Sequence, residues 1–520
     1  MAALSVLKDE NCIVSYCTDV EGNWDYWERF LEISQVVGRD PNTRKVIFKK
    51  PNAQFVFGGD VCDRGPGDMR LLNDLVQLYE DNKGKVHFIL GNRDVNKMRI
   101  PVELHVKYLE APGKCYWINA DPEQKPQSAA ERLKWILAKT MGSPGGFNYR
   151  RDELAAMGRP HGDEDVVESF FDLLVPEGKL MKYLKYGKIS VAIGDTLFCH
   201  GGINGNNIGW VPPRGPKATT PAAGEPAALG GTKVADFKDW LNILNEHVED
   251  EVKDFIDRAP VYLRELSTYK DSAEVPEHWA AVGSYSHPQP GSRLGFLGMA
   301  ITEDKVNNPS VIYSSYMDRG MPGAVDEEVA NTILGSGFKR VIVGHQPHGD
   351  APTPIERHGL QIIMGDTSYS ANTLWTFTTP GAKEETWAKA SDELLSEPAL
   401  GLTGLPLPKD NSRGIAVSEV VIAFDESSPT VGESASRVFC HGTLSDGSTY
   451  SFEQPEAGEQ NKYLGKMNAS NSWMVKASNV TVKNGPLAGT TDAYLMCRGE
   501  GFNFKNKFVA SADIEAEMAC

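Results

Sequence analysis

Short apolar runs that end in Gly, Asp or His recur along the first 366 residues of this chain. Ile13 to Tyr16 precedes Asp19, Phe55 to Phe57 precedes Gly58-Gly59-Asp60, and Val86 to Leu90 precedes Gly91-Asn92. Thr196 to Cys199 precedes His200, Val341 to Val343 precedes Gly344-His345, and Ile362 to Met364 precedes Gly365-Asp366. Runs this short, closed by a turn former, predict buried strands of an α/β sheet, with polar residues at the carboxyl ends where such sheets carry their sites. Helical periodicity over Trp24 to Val37, Asp68 to Tyr79 and Asp326 to Leu334 alternates with them, as in layered α/β folds.

Two intervals are longer than a connection needs to be. Asn92 to His200 contains helical patterns at Ser128 to Lys139 and Asp163 to Leu174, and His200 to His345 contains one at Val234 to Arg258. They predict cap insertions at about 101–190 and 205–335 in a domain spanning 1–415. Pro212 to Thr232, rich in Pro, Ala and Gly, predicts an exposed mobile loop. Past residue 415 the pattern becomes short alternating runs with turn signals, as at Val438-Phe439, Tyr450 to Phe452 and Tyr494 to Met496. Residues 416–520 therefore read as a β-rich C-terminal extension.

Length and composition narrow the classes. A chain of 520 residues exceeds what one core sustains, about 250 to 300 residues, so two domains or one with insertions are expected. With 41% apolar and 24% charged residues the composition is globular. Lys plus Arg number 53 against 70 Asp plus Glu, a net charge of −17 that excludes duplex nucleic acid and anionic membrane as general partners. A small phosphorylated substrate stays compatible, because bound cations reverse the field locally. Met1 to Asn11 carries no apolar signal segment, no run is long enough to span a bilayer, and the eight cysteines lack metal-type spacing. These point to a soluble, cytoplasmic protein with free thiols.

The chemistry concentrates at the strand ends. In Gly59-Asp60-Val61-Cys62-Asp63-Arg64-Gly65 a carboxylate projects from a sheet edge where it can bridge cations, over glycines that let the backbone turn. Gly91-Asn92-Arg93-Asp94 adds a neutral oxygen, and His200 and His345 add imidazoles. Taken singly, each is as well explained by a turn or a core histidine; their order and common placement carry the signal.

On GGDVCDRG, GNRD, FCHGG, VGHQPHG and MGDTS the chain resembles the calcineurin-like metallophosphoesterase superfamily over roughly residues 12 to 370, in the branch of Ser/Thr phosphoprotein phosphatases and diadenosine tetraphosphatases. The resemblance implies a layered metallophosphoesterase β-sandwich flanked by helices. It also implies two divalent metal ions, Mn²⁺ foremost with Mg²⁺, Fe or Zn²⁺ as alternatives, and a water held between them that attacks phosphorus. Asp60 would bridge the metals, Asp19 would serve the first, and Asn92, His200 and His345 the second. Arg64 would bind the substrate phosphate, and Asp63 would belong to the acid pair.

Two departures bear on substrate. Where the family has Asp-x-His, this chain has Asp19-Val20-Glu21-Gly22-Asn23. Glu21 is then either a carboxylate ligand suited to a hard cation or a solvated residue, with Asn23 filling in on the substrate side. Where protein phosphatases carry a histidine after the asparagine, this chain has Arg93, which cannot give up a proton but can clamp phosphate. A similar GNRD occurs in pyrophosphohydrolases that cleave UDP-diacylglucosamine. The reading is therefore a two-metal phosphoester or phosphoanhydride hydrolase leaning to a small nucleotide polyphosphate, with Arg64 and Arg93 on the phosphates and His348 as a substitute acid. A Ser/Thr protein phosphatase and a catalytically decayed binding protein of the same fold are the alternatives, and the oligomeric state stays open.

Overall fold

The computed structural model describes residues 12–104, 128–212, 231–268, 310–318, 320–367, 414–454, 462–500 and 503–520. The loop expected at Pro212 to Thr232 lies outside the described residues apart from its two ends. Strand β1 (Cys12–Cys17) runs parallel to β2 (Ala53–Phe57), followed by β3 (Val86–Ile89) and the short β4 (Gly187–Lys188), also parallel. A second sheet holds β5 (Ser190–Ile193), β6 (Thr196–Cys199), β7 (Arg340–Val343), β8 (Thr353–Arg357) and β9 (Leu360–Met364). Its order is β8-β9-β7-β6-β5, with β6, β7 and β9 parallel.

The C-terminal region does not form a sheet of its own. Strand β10 (Val417–Phe424) pairs antiparallel with β1, placing Val420 opposite Tyr16. A meander of β11 (Ser436–Thr443), β12 (Thr449–Gln454), β13 (Met474–Thr481), β14 (Ala493–Glu500) and β15 (Asn503–Ala510) continues outward. The result is a mixed sheet of ten strands, ordered β15-β14-β13-β12-β11-β10-β1-β2-β3-β4. The protein is thus mixed α/β with a large mixed central sheet and flanking helices.

Alternation along β1 shows where the two cores lie. Cys12, Val14 and Tyr16 cluster with Val56 and Ile89 of their own sheet and with Phe198, Ile342 and Ile363 of the second sheet. Tyr16 stacks on Phe198 with ring centroids 5.7 Å apart, so the sheets meet there. Ile13 and Cys17 face the other way, toward Trp27 and Phe30 of α1 (Trp24–Ile33) and Leu71, Leu72 and Leu75 of α2 (Asp68–Asp81). Asp163–Leu174 is helical, and Ala129–Thr140 begins after an N-cap at Ser128. The helix Phe237–Thr268 extends beyond the expected Arg258. Among the described residues, no helix is long and apolar enough to cross a membrane.

Helix α1 stops at Ile33, before the expected Val37, because Ser34 leaves the helix to serve a buried carboxylate. Ser34 Oγ donates to Glu419 Oε1 at 2.6 Å and accepts from the amides of Val36 and Val37. Glu419 on β10 also accepts from Ser15 Oγ and from the Gln35 amide at 2.8 Å, and lies 2.7 Å from His441 Nε2. This fully buried side chain therefore ties the last strands to the first strand and helix. Glu419→Ala should leave these donors without an acceptor and cost about 2 to 4 kcal/mol, at roughly 1 kcal/mol per lost partner. Glu419→Gln should cost less; denaturant midpoints of the two variants check the order.

Candidate metal centre

Because β1, β2 and β3 are parallel, as are β6, β7 and β9, both sheets present their carboxyl ends on one edge. Asp19 follows β1, Asp60 follows β2 and Asn92 follows β3; His200 directly follows β6 and His345 follows β7. The turns that aim these side chains inward are strained. Asp19, Glu21, Asp60, Asp63 and His345 all have positive φ, between 49° and 113°, a region that non-glycine residues seldom occupy. Glycine makes the close approaches possible. A Cβ on Gly344 would lie 2.2 Å from Asp19 Oδ2, and one on Gly59, at φ +100°, would lie 2.7 Å from His200 Nδ1.

Asp60 is the hub. Its Oδ1 accepts from the Arg93 amide at 2.8 Å and faces His200 Nε2 at 3.3 Å. His200 Nδ1 donates to the Gly58 carbonyl at 2.8 Å, leaving Nε2 toward Asp60 and toward Asn92 Oδ1 at 3.2 Å. His345 completes the group: ligand atoms of Asp60, His200 and His345 all lie within 4.8 Å of one another, and all three side chains are buried. Asp19 adjoins them, both its oxygens 3.1 Å from the His345 amide and Oδ2 accepting from Thr18 Oγ1 at 2.5 Å. Carboxylate oxygen, amide oxygen and two imidazole nitrogens make a donor set that fits a divalent transition-metal ion.

Three cations line the same pocket. Arg93 Nε is 2.5 Å from Glu21 Oε1 and 3.5 Å from Asp60 Oδ2, its Nη1 is 3.5 Å from Asp63 Oδ2, and the same nitrogen donates to the Met141 carbonyl at 3.2 Å. Glu21 is thus engaged by guanidinium, with Arg64 Nε a further 3.7 Å contact. Lys97, one helical turn beyond Arg93, places Nζ 2.7 Å from Asp63 Oδ2. Side-chain exposure of 15% for Arg64, 8% for Arg93 and 1% for Lys97 makes Arg64 the cation at the rim.

The structure brings Asp19, Glu21, Asp60, Asp63, Arg64, Asn92, Arg93, His200 and His345 to one place, and leaves two expected residues out. Asn23 caps α1: its Oδ1 accepts from the Tyr26 amide at 3.0 Å and its Nδ2 donates to the Gly414 carbonyl, so helix initiation claims the side chain expected at the substrate. His348 is fully buried away from the cluster, with Nε2 3.3 Å from Met321 Sδ and Nδ1 3.4 Å from Lys476 Nζ on β13. Burial, then Lys476, hold its pKa well below the usual value, so it is neutral packing and not an acid at this site.

Three further residues contribute to the site. Asp94 accepts from the amides of Asp60, Val61 and Gly91, fixing the turn beneath the hub; the aspartate of GNRD was its signal. Lys97 had only its spacing of four from Arg93. Tyr313, whose ring centroid lies 4.9 Å from that of His345, had no local signal.

These buried charges act strongly on one another. Burial raises Asp19 to about 7, against the opposing pull of His200. Burial, with help from Asp60, raises Asp94 to about 7. Burial alone would lower His200, but Asp60 and Asp19 outweigh it and raise the imidazole to about 10. Burial likewise pushes Asp60 upward, yet His200, Arg93 and His345 prevail and hold it well below the carboxylate range.

No family model matches the chain, and no curated protein matches it. Among solved structures, the cold-active protein-tyrosine phosphatase of a psychrophile, Shewanella sp., superposes with a TM-score of 0.35 at 13% identity, covering 84% of this chain and 80% of that one. A Saccharomyces cerevisiae protein serine/threonine phosphatase with similarity to human phosphatase PP5 superposes with a TM-score of 0.28 at 12% identity, covering 69% of each chain. Likeness of this degree carries no argument about the present protein.

In the metal-free protein Asp19, Asp94 and His200 all bind protons more tightly folded than unfolded, where they would titrate near ~3.9, ~3.9 and ~6.5. A raised pKa stabilises the fold while the proton is on, and the gain is lost as pH rises through the folded value. Stability in chelator should therefore fall from about pH 4 toward about pH 10, while Asp60, shifted the other way, matters only below that window. A cation that replaces the proton should restore more stability the higher the pH. Thermal midpoints in EDTA and in Mn²⁺ from about pH 5 to about pH 9 test this; the EDTA slope should flatten in Asp60→Asn.

Proposed function

We propose that this chain is a divalent-metal-dependent hydrolase of phosphoesters or phosphoanhydrides, acting on a small phosphorylated substrate of the nucleoside polyphosphate kind. The observation that carries the reading is the convergence of Asp60, His200 and His345 within 4.8 Å, beside Asn92 and beneath a rim arginine. Asp60, Asn92, His200 and His345 would hold the ion, with Asp19 adjoining; manganese is the expected metal. The facing sheets support reading the fold as a layered metallophosphoesterase sandwich. Unpaired buried thiols at Cys12, Cys17, Cys62, Cys199, Cys440 and Cys497 support a reducing, cytoplasmic setting. Net charge argues against duplex nucleic acid and membrane as partners.

A divalent cation bound there supplies Lewis-acid polarisation of a phosphoryl oxygen and a lowered pKa for water. The chain's own groups do the rest. Arg64, at the rim, orients the incoming phosphate and offsets charge that develops on it. Asp63 is turned toward Lys97 and Arg93, and Ser143 Oγ donates to its carbonyl at 2.5 Å, so its loop is held from the connection between two inserted helices. Among the described residues the imidazoles at the cluster are those of His200 and His345, both in the donor set, so neither is left to protonate a departing alkoxide. Arg93 does not give up its proton. A phosphate or nucleotide leaving group departs as a stable anion without such an acid, which favours anhydrides over phosphoserine.

Phosphate release and product masses from a panel of substrates, with Mn²⁺-loaded protein, test the reading. Turnover of nucleoside polyphosphates should exceed that of phosphopeptides, cease in excess chelator and return with Mn²⁺. Arg64→Ala should lower kcat/KM about ten- to hundredfold, the equivalent of losing a charged hydrogen bond of roughly 1.5 to 3 kcal/mol. A preference for phosphopeptides would favour a protein phosphatase, and metal binding without turnover of any substrate a binding protein.

A further inference from the structure

We infer that Arg93 serves as a built-in organic cation in place of a second metal ion, so that the centre holds a single divalent ion at Asp60, Asn92, His200 and His345. This rests on the metal-dependent reading above and sets its stoichiometry at one, against the two ions that the resemblance implies. A second ion would draw on Asp19 and on the carboxylate pair of Glu21 and Asp60. Arg93 already spans that pair, its Nε 2.5 Å from Glu21 Oε1 and 3.5 Å from Asp60 Oδ2. Arg64 approaches the same Glu21 oxygen to 3.7 Å. Neither guanidinium can yield by losing a proton, as a histidine at that position could. A divalent ion at Glu21 would therefore sit against two permanent positive charges in a buried, weakly screened site.

Charge balance leads to the same count. Glu21 is matched by Arg93 and Asp63 by Lys97, whose Nζ is 2.7 Å away and also donates to the Arg93 carbonyl at 2.9 Å. Asp19, Asp60 and Asp94, the last beneath the Asp60 turn, then stand against Arg64 at the rim, and one divalent ion with neutral His200 and His345 balances the remainder. The backbone is fitted to this arrangement: the Arg93 amide donates to Asp60 Oδ1 while its side chain returns over Oδ2, and Glu21, at φ 49°, points its carboxylate inward. The two substitutions that depart from the resemblance, glutamate for histidine and arginine for histidine, are thus one compensated pair.

The full-length protein, saturated with Mn²⁺ and passed through gel filtration, is assayed for metal per chain by inductively coupled plasma mass spectrometry and for spin coupling by electron paramagnetic resonance. The native protein should carry one equivalent with the hyperfine pattern of isolated Mn²⁺. Arg93→Ala should gain a second equivalent and a coupled spectrum, Arg93→Lys should stay at one, and Glu21→Gln added to Arg93→Ala should return it to one. An exchange-coupled pair in the native protein overturns the inference while leaving metal dependence standing. Absence of bound metal overturns both. A folded Arg93→Ala variant still limited to one equivalent overturns the role of Arg93, and the native spectrum decides the count even if that variant does not fold.

Discussion

Asp60 is held on several sides at once, and most of the fold can be read as the means of holding it. Its own amide donates to Asp94, its Oδ1 accepts from the Arg93 amide, and its carboxylate faces the imidazole that the Gly58 carbonyl orients. There is no slack around it, since a Cβ on Gly91 would lie 2.2 Å from its Oδ1. Two sheets must therefore meet with their carboxyl ends aligned, because His200 and His345 come from one sheet and Asp60 and Asn92 from the other. Stacking of Tyr16 on Phe198 a few residues behind the site fixes that meeting.

Removing so many carboxylates from water would be costly if they faced one another alone. Here each is met by a cation or by backbone donors. Behind Asp63 the pattern continues: Asp68 accepts from the Asp63 amide at 3.0 Å and from Arg150 at 2.9 Å, and Glu153 accepts from the Met69 and Arg70 amides at 3.0 Å. Arg150 and Glu153 come from one of the inserted helices, Gly146–Ala156. That insertion is then more than a cover, because it supplies the charges that position the loop carrying Asp63 and Arg64.

The C-terminal strands act at longer range. Glu419 binds β10 to the start of the chain, and Lys476 on β13, its amine lowered to about 8 by burial, donates to the His348 carbonyl and to Thr353 Oγ1. His345 and His348 share one short loop, so the lysine anchors the far end of the segment whose near end presents a candidate ligand.

Strand ends, most helices and the β-rich tail were legible in the sequence, because apolar periodicity and turn residues are local properties. Asp19, Asp60, Asn92, His200 and His345 were legible for the same reason: each follows an apolar run directly. What local pattern could not express was the pairing of groups far apart in the chain. Nothing near residue 419 announces Ser15 and Ser34, and nothing in Asp19 to Asn23 says that Glu21 turns to Arg93 while Asn23 caps a helix. His348, three residues past a site histidine, was drawn outward by a buried lysine from the other end of the chain. The sequence by itself determined which chemical groups stand at the strand ends. Only the tertiary structure decided how their charges are matched, because burial makes every carboxylate seek a partner and the fold, not the spacing, chooses which one is within reach.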